Sequence, residues 1–397
     1  MTDRPQPDAA PAPTGPLSGL VVADFSRILA GPYCTMLLAD LGAEVIKVEG
    51  PGGDDTRTWV PPERNGVSTY YLAINRNKKS IVLDFTDEDD LAVAHELAAR
   101  ADVFIENFRP GGLVRFGLDH ASVARRNASI IYASISGFGS GDGASLLGYD
   151  LLVQAMSGLM SLTGDADGPP YRAGISVFDV MTGMHAAIAI LAALHHRDLT
   201  GQGQHIELNL LSSALSTLVN HTSAYVAGGV VPSRMGNSHP SLFPYEPLPT
   251  ADKDIIIITG NDGQFRKLCA ALDLNELVDD PRFLHNEDRT RNREELRPLL
   301  VDKLAQRSAD EWFEILTSAG LPAGPINTVA DGVAFAERIG LNPVVEVGEG
   351  DARVPVIRNP ITFSATPTRH TLPPPGHGEH SDAIRAWLAS GHEQRDA

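Results

Sequence analysis

The strongest constraint on this chain is an alternation in its first 140 residues. Short apolar runs at Gly19–Phe25 (GLVVADF), Glu44–Glu49 (EVIKVE), Ser80–Phe85 (SIVLDF), Val103–Glu106 and Ile130–Ser136 are separated by stretches of helical character. Such runs read as strands covered on both faces, and a helix between successive strands is the crossover that parallel pairing needs. The helix signals are local. Gly31-Pro32 opens a segment reaching Leu41, where a fixed proline φ suits the first turn. Thr86 stands as an N-cap before Asp87, Glu88, Asp89 and Asp90, whose charge suits a helix N-terminus. The class is therefore α/β, a parallel sheet with helices on its faces.

The pattern then changes. Asp150–Ser161, Val180–Leu194 and Leu210–Val226 read as helices, with a strand at His205–Asn209; the small residues all round Val180–Leu194 predict a helix buried on several sides. The Pro- and Gly-rich stretch 228–250 reads as a linker. Beyond it come a strand at Asp254–Thr259, helices at Asp262–Ala271 and Asn292–Gln306, and a capping box Ser308-Ala-Asp-Glu311 opening a helix that ends at Gly320. Val354–Phe363 is strand-like, and His370–His380 is rich in Pro and Gly.

Composition narrows the function. At 397 residues the chain exceeds one ordinary core, so two lobes are expected. With 32 basic against 50 acidic residues, its charge of −18 argues against general nucleic-acid or anionic-membrane binding. Two cysteines, Cys34 and Cys269, make neither a disulfide framework nor a thiolate zinc site. No apolar run stands out as a membrane span of about 20 residues. The first 16 residues carry no apolar h-region and read as a disordered tail, with cytoplasmic residence expected by default. P-loop and G-x-S-x-G motifs are absent. Gly137-Phe-Gly139-Ser-Gly141-Asp-Gly143 imitates a dinucleotide fingerprint, but Asp142 stands in the third glycine's place; a turn at the ligand-binding end of a strand remains. His370, His377 and His380 read as solvated side chains, and no metal is expected.

Two features carry possible chemistry. Arg27, Lys47, Arg57, Arg64, Arg76, Lys78, Lys79, Arg109 and Arg115 crowd the first third of an acidic chain. They form either a phosphate-binding edge for a small polyanion or ordinary surface charge. Asp179 stands at the entrance of an apolar helix, either as its N-cap or as a carboxylate made nucleophilic by desolvation.

At these residues the chain resembles the family III CoA-transferases, the group containing formyl-CoA transferase, carnitine CoA-transferase and α-methylacyl-CoA racemase. The landmarks are Gly19–Ser26, Ala30-Gly-Pro32, Leu41–Glu49, Asn77–Ile81, Glu106-Asn-Phe-Arg-Pro-Gly111, Ser136–Gly139, Gly148-Tyr-Asp150, Phe178-Asp179, Thr200–Gly203, Gly236–Pro240 and Gly324–Asn327, in order from about Leu17 to His380. The resemblance implies a large Rossmann-like domain (17–227, completed by the return linker and C-terminal segment 329–397), a smaller α/β domain (251–328) and an interlocked homodimer. It implies CoA as substrate and product with no tightly bound cofactor, a carboxylic acid as the other substrate, and Asp179 as the residue that forms an aspartyl anhydride and then an aspartyl-CoA thioester. CoA-binding positions carry over to Arg27, Ile28, Leu29, Ala30, Leu83, Asn107, Phe108, Arg115 and Tyr149. An arginine that some members place after the strand glutamate is Gly50 here, with Arg57 or Arg76 as possible substitutes.

The racemase branch has a histidine where this chain has Tyr149, and a phenol with an ordinary pKa of about 10 is a poor base at neutral pH. That favours transfer over 2-methylacyl-CoA racemisation; a non-catalytic acyl-CoA binder is the third reading. Asp150 either positions Asp179 or the acceptor, or caps its own helix. The segment Arg234–Tyr245 is similar to the branch moving CoA between dicarboxylates such as succinyl-CoA donors, with Arg234 or His239 as candidates for the distal carboxylate.

Overall fold

The computed structural model describes residues 15–390, so most of the expected tail 1–16 lies outside the described residues. The chain forms two units: one runs through Ser157 and includes Ala173–Gly228 and the chain from Asn342 onward; the other comprises Gly158–Arg172 and Gly229–Leu341.

The first unit is built on β1 (Val21–Asp24), β2 (Glu44–Glu49), β3 (Lys78–Val82), β4 (Val103–Glu106), β5 (Ile131–Ser136) and β6 (Gln204–Asn209). All pairs are parallel, in the order β3-β2-β1-β4-β5-β6. The chain starts at the centre, builds to one edge, returns and builds to the other. Such a reversal leaves a crevice at the carboxyl ends of β1 and β4. The helices used below are α1 (Ala30–Asp40), α2 (Glu88–Arg100), α3 (His120–Arg126), α4 (Asp150–Met156), α5 (Val177–Thr200) and α6 (Leu210–Thr217). The N-cap of α2 is Asp87, which accepts from Asp89 and Asp90 N–H, rather than Thr86.

One core gathers Phe25, Phe104 and Tyr132 from the sheet, Leu97 from α2, Val123 from α3, and Ile384 and Leu388 from the helix Ser381–Ser390. The C-terminal segment docks at β3: Gly378 N–H donates to Ser80 Oγ at 2.9 Å and His380 N–H to Ser80 O at 2.9 Å. The three tail histidines are therefore not simply solvated. His370 accepts from Asn359 N–H at 3.0 Å, His380 accepts from Ser80 N–H at 3.3 Å, and His377 Nε2 lies 3.0 Å from Gly50 O.

Helix α5 corrects two expectations. It runs for 24 residues with an 18-residue window of mean hydropathy 1.8, long and apolar enough to cross a membrane. Its inner face, including Thr182, Gly183, Ala186 and Ile190, is instead core of this unit. Gly183 lies against α1, where a Cβ would stand 2.6 Å from Ala30 O, so only glycine permits this approach. The expected burial on several sides does not hold within one chain: Met184, Ile188 and Leu191, spaced as a helical stripe, are exposed.

The second unit has an antiparallel sheet of β7 (Tyr245–Pro249), β8 (Asp254–Ile258) and β9 (Ala323–Pro325), with β8 in the middle. Its core packs Leu248, Ile255, Ile257, Phe265, Leu268, Leu300, Trp312 and Leu316. Part of the expected linker 228–250 is thus strand β7; Pro247 and Pro249 are accommodated because it is an edge strand. Gly158, at φ +97°, ends the helix expected to reach Ser161. Gly158–Arg172, expected within the first domain, groups with this unit through bonds such as Gly236 N–H to Gly164 O (3.0 Å) and Arg234 Nε–H to Asp165 O (3.2 Å).

Candidate active site

The loops following β1, β4 and β5 enclose a cavity of about 360 Å³ in the first unit. Its walls are Arg27–Ala30 after β1, Asn107–Pro110 after β4, and Gly137–Gly139 with Leu146–Tyr149 after β5; Asp179 enters from α5. The glycines serve this geometry: Gly137 and Gly148 pass so closely that a Cβ on either would lie within 2.5 Å of the other's Cα.

Asp179 is the third residue of α5, in its first turn, and the N-cap position is Ser176. It is thus not the cap that its sequence position suggested. The cap comes from another element. The buried Asp150 carboxylate accepts from Phe178 N–H at 2.7 Å and Asp179 N–H at 3.1 Å. Asp150 heads α4 without capping it; the N-cap there is Tyr149. The fully buried Gln154 steadies it, donating to Asp150 and to Ile175 O (3.1 Å) while accepting from Ala173 N–H (2.8 Å). Orphan N–H groups of a helix start are satisfied by a carboxylate outside the helix, which suits the dipole.

That leaves the Asp179 side chain with no cationic partner among the described residues. Burial, with the Asp150 charge adding to it, pushes its carboxyl up to about 7. A carboxylate stripped of water and lacking a counter-charge is a reactive one. The Phe178 and Asp179 N–H groups are already engaged by Asp150 and are not free to serve a developing oxyanion.

Of the expected CoA-binding residues, Arg27, Ile28, Leu29, Ala30, Asn107, Phe108 and Tyr149 line this cavity with Asp179. Leu83 and Arg115 do not. Leu83 is 1% exposed in the core, and Arg115 is exposed with its guanidinium 4.5 Å from the Phe116 ring centre. Four of the basic residues are neither a phosphate edge nor ordinary surface charge. Lys47 pairs with Asp54 (2.7 Å), Lys78 with Asp24 (3.2 Å), Arg57 with Glu49 (2.7 Å) and Arg76 with Asp40 (2.6 Å), all within the fold. Arg57 and Arg76 are therefore committed and do not replace the arginine missing at Gly50. Arg27, Arg109 and Arg115 remain exposed.

One neighbour escaped the sequence reading. Burial raises the Tyr70 phenol against a bond with Ser176, and the charges of Asp179 and Asp150 raise it further. Nothing in Tyr70-Tyr71 signalled proximity to a helix a hundred residues later. In the second unit, Arg234 bonds Asp165 O and His239 Nδ1 accepts from Ser241 N–H at 3.0 Å.

The model of the family described as CoA-transferase family III matches residues 17–381. The chain belongs to CoA-transferase family III. Relatives of this family include a succinate–glutarate CoA-transferase of Agrobacterium fabrum, 42% identical over 98% of both chains. The human succinyl-CoA:glutarate CoA-transferase is 40% identical over 96% of this chain and 88% of the relative. An acetyl-CoA:oxalate CoA-transferase of Acetobacter aceti is 39% identical over 95% and 97%. A crystal structure of a CAIB/BAIF family protein from Brucella suis superimposes with a TM-score of 0.87 at 44% identity, over 94% of this chain and all of that one. This protein is a CoA-transferase, and racemisation is not favoured.

Proposed function

We propose that this family III enzyme moves CoA between dicarboxylic acids of the succinate and glutarate class by covalent catalysis at Asp179. The observation that carries the mechanism is a carboxylate without a counter-charge, on the cavity lined by Arg27–Ala30, Asn107 and Tyr149. The substrate class follows the names of relatives at about 40% identity.

An Asp179 oxygen attacks the thioester carbonyl, the C–S bond breaks, and CoA leaves as thiolate, giving a mixed anhydride. The thiolate attacks the Asp179 carbonyl of that anhydride, releasing the first acid as its carboxylate and leaving an Asp179–CoA thioester. The acceptor carboxylate attacks the same carbonyl and expels the thiolate, forming a second mixed anhydride. The thiolate then attacks the acceptor's carbonyl, yielding the new thioester and free Asp179. The covalent route divides one difficult exchange into successive acyl transfers, climbing from thioester to mixed anhydride and returning to thioester. Asp150 holds the backbone of Asp179 and, as a fixed anion beside it, disfavours a second resting charge there. Mixing the enzyme with succinyl-CoA and hydroxylamine tests this: mass spectrometry should find a hydroxamate on the Asp179 peptide, and an unmodified peptide under turnover conditions sinks the reading.

A second copy of the chain completes this reading. Met184, Ile188 and Leu191 on α5, and Leu151, Leu152 and Met156 on α4, are apolar side chains all at least 37% exposed. A surface of this kind marks an interface. Ile188→Glu should convert a homodimer into monomer in light-scattering chromatography; an unchanged mass argues against this face.

A further inference from the structure

The cavity wall contains a strained residue. Ile28 has φ +72°, in the left-handed region that a β-branched side chain adopts only under constraint. Such strain persists where the surroundings over-determine it, and here the restraints are explicit. Asp54 receives Ile28 N–H across both carboxylate oxygens, at 3.3 and 3.4 Å. Asn107 grips the preceding residue twice, accepting from Arg27 N–H at 3.0 Å and donating to Arg27 O at 2.7 Å. Asp24 accepts from Ser26 N–H at 3.0 Å, and Lys47 Nζ donates to Ser26 O at 3.1 Å. The side chains of Asp24, Lys47, Asp54 and Asn107 thus hold three consecutive peptide units.

Asp54 is the centre of this arrangement. Its carboxylate is buried, paired with Lys47 Nζ at 2.7 Å, and bonded to Thr56 N–H and Oγ1 at 3.0 and 2.7 Å. Its own N–H donates to Glu49 Oε2 at 2.9 Å. A fixed, fully engaged carboxylate makes a rigid template for a neighbouring backbone. Capping the turn at Asp55–Thr58 requires only the Thr56 contacts; the approach to Ile28, 26 residues away, is additional.

The geometry points to Asp54, charge-balanced by Lys47, as a positioning residue for transfer: it holds Ile28 left-handed and so sets the Arg27–Ala30 wall on the cavity that Asp179 enters. This rests on the cavity being the CoA site, but it assigns a role to residues that never reach it, since neither Asp54 nor Lys47 lines the cavity.

Glycine adopts a positive φ without steric cost, so it replaces the clamp where valine, β-branched like isoleucine, does not. With succinyl-CoA as donor and glutarate as acceptor, Asp54→Asn should lose about 10- to 100-fold in kcat/KM, the scale of a small misplacement. Adding Ile28→Gly should recover at least about tenfold of that loss, while adding Ile28→Val recovers none. Equal activity of the two double variants, or parental kcat/KM in Asp54→Asn, overturns the proposal. Should Asp54→Asn fail to fold, position 28 is tested with Asp54 intact. Ile28→Pro, whose ring forbids positive φ, should lose more than about 100-fold in kcat/KM and at least about tenfold more than Ile28→Gly, which keeps the φ but gives up the side chain. Equal activity of the proline and glycine variants overturns it as well. Calorimetric titration of the parent with free CoA separates the premises: no binding removes the site reading and the clamp together, whereas binding accompanied by equivalent double variants removes only the clamp.

Discussion

The two units differ in how much charge their interiors hold. The core of the second unit is a continuous apolar cluster, from Leu248 and Ile255 through Leu268 and Leu300 to Leu316. The first unit has such a cluster around Phe104 and Tyr132, but it also buries charge on a large scale. Asp24, Asp40, Lys47, Asp54, Arg76 and Lys78 are all 3% exposed or less. Buried ion pairs are weak contributors to stability, because desolvation offsets most of their attraction. The grouping of Asp24, Lys47, Asp54 and Lys78 around the loop that bounds the cavity points instead to geometry. The second unit buries far less charge, chiefly Arg289 and Glu246, and shows what a core of this protein looks like when fewer such placements are needed.

The comparison breaks first, and furthest, at Asp179. Asp179→Ala should lower turnover by more than about a thousandfold, as removal of a covalent nucleophile does, while CoA affinity by calorimetry stays near parental. No single truncation in the second unit's core should act this way: Leu300→Ala should leave kcat per folded molecule unchanged and cost about 2–5 kcal/mol of stability in denaturant melts. A Leu300→Ala enzyme that is fully folded yet inactive would erase the division of labour.

The next test sets the two kinds of core against each other at equal cost. Lys78 donates to Asp24, to Pro32 O at 2.9 Å and to Asn75 Oδ1 at 2.9 Å. Burial pulls its ammonium down to about 8, and the Asp24 charge opposes this. Lys78→Met removes a donor from Pro32 O and Asn75 Oδ1 and the paired ammonium from buried Asp24, at about 3–5 kcal/mol. Unlike Leu300→Ala, it should also reduce kcat/KM in the folded fraction, because Asp24 anchors Ser26 beside the cavity wall. Equal specific activity in both variants would mean that the buried charges are merely tolerated.

How much of this was legible beforehand divides along the same line. Five strands of the parallel sheet were readable from apolar runs, since a strand covered on both faces leaves a clear pattern, and the exposed edge strand β6, expected at His205–Asn209, runs over Gln204–Asn209. Asp179 and the Arg27–Ala30, Asn107, Phe108 and Tyr149 positions were reachable through family resemblance, and they face one cavity. Lys47, Arg57, Arg76 and Lys78 fit neither a phosphate edge nor ordinary surface charge, because composition carries no information about which way a strand residue points or whether a carboxylate waits across the sheet. The Asp54–Ile28 contact was invisible for the same reason: an isoleucine advertises no left-handed φ. Strand β7 was hidden by its prolines, which argue against a central strand but not an edge. The break at Gly158 was hidden by apolar periodicity continuing on both sides of it.

The smallest expected effect is also the sharpest in sign. The Asp179 carboxyl titrates at about 7 in the folded chain, raised from 3.8 chiefly by burial and further by Asp150. The folded state therefore binds this proton more tightly than the unfolded state does. Below pH 3.8 the acid is neutral in both states and its ionisation costs nothing. As pH rises toward 7 the unfolded chain ionises freely while the folded chain cannot, and the penalty accumulates until, above 7, it is fully present. Asp179→Asn removes the ionisation without removing much volume, so its melting temperature should match the parent near pH 4 and exceed it increasingly up to pH 8. The partial exposure of the side chain limits the gain to about 1–2 kcal/mol, or a few degrees. Over the same range the parent's kcat/KM should fall tenfold per pH unit below 7, because only the carboxylate attacks. Stability lost and activity gained with the same apparent pKa would tie both to one side chain. A flat difference in melting temperature between pH 5 and 8 would mean that Asp179 is ionised throughout, and that solvent, not burial, sets its reactivity.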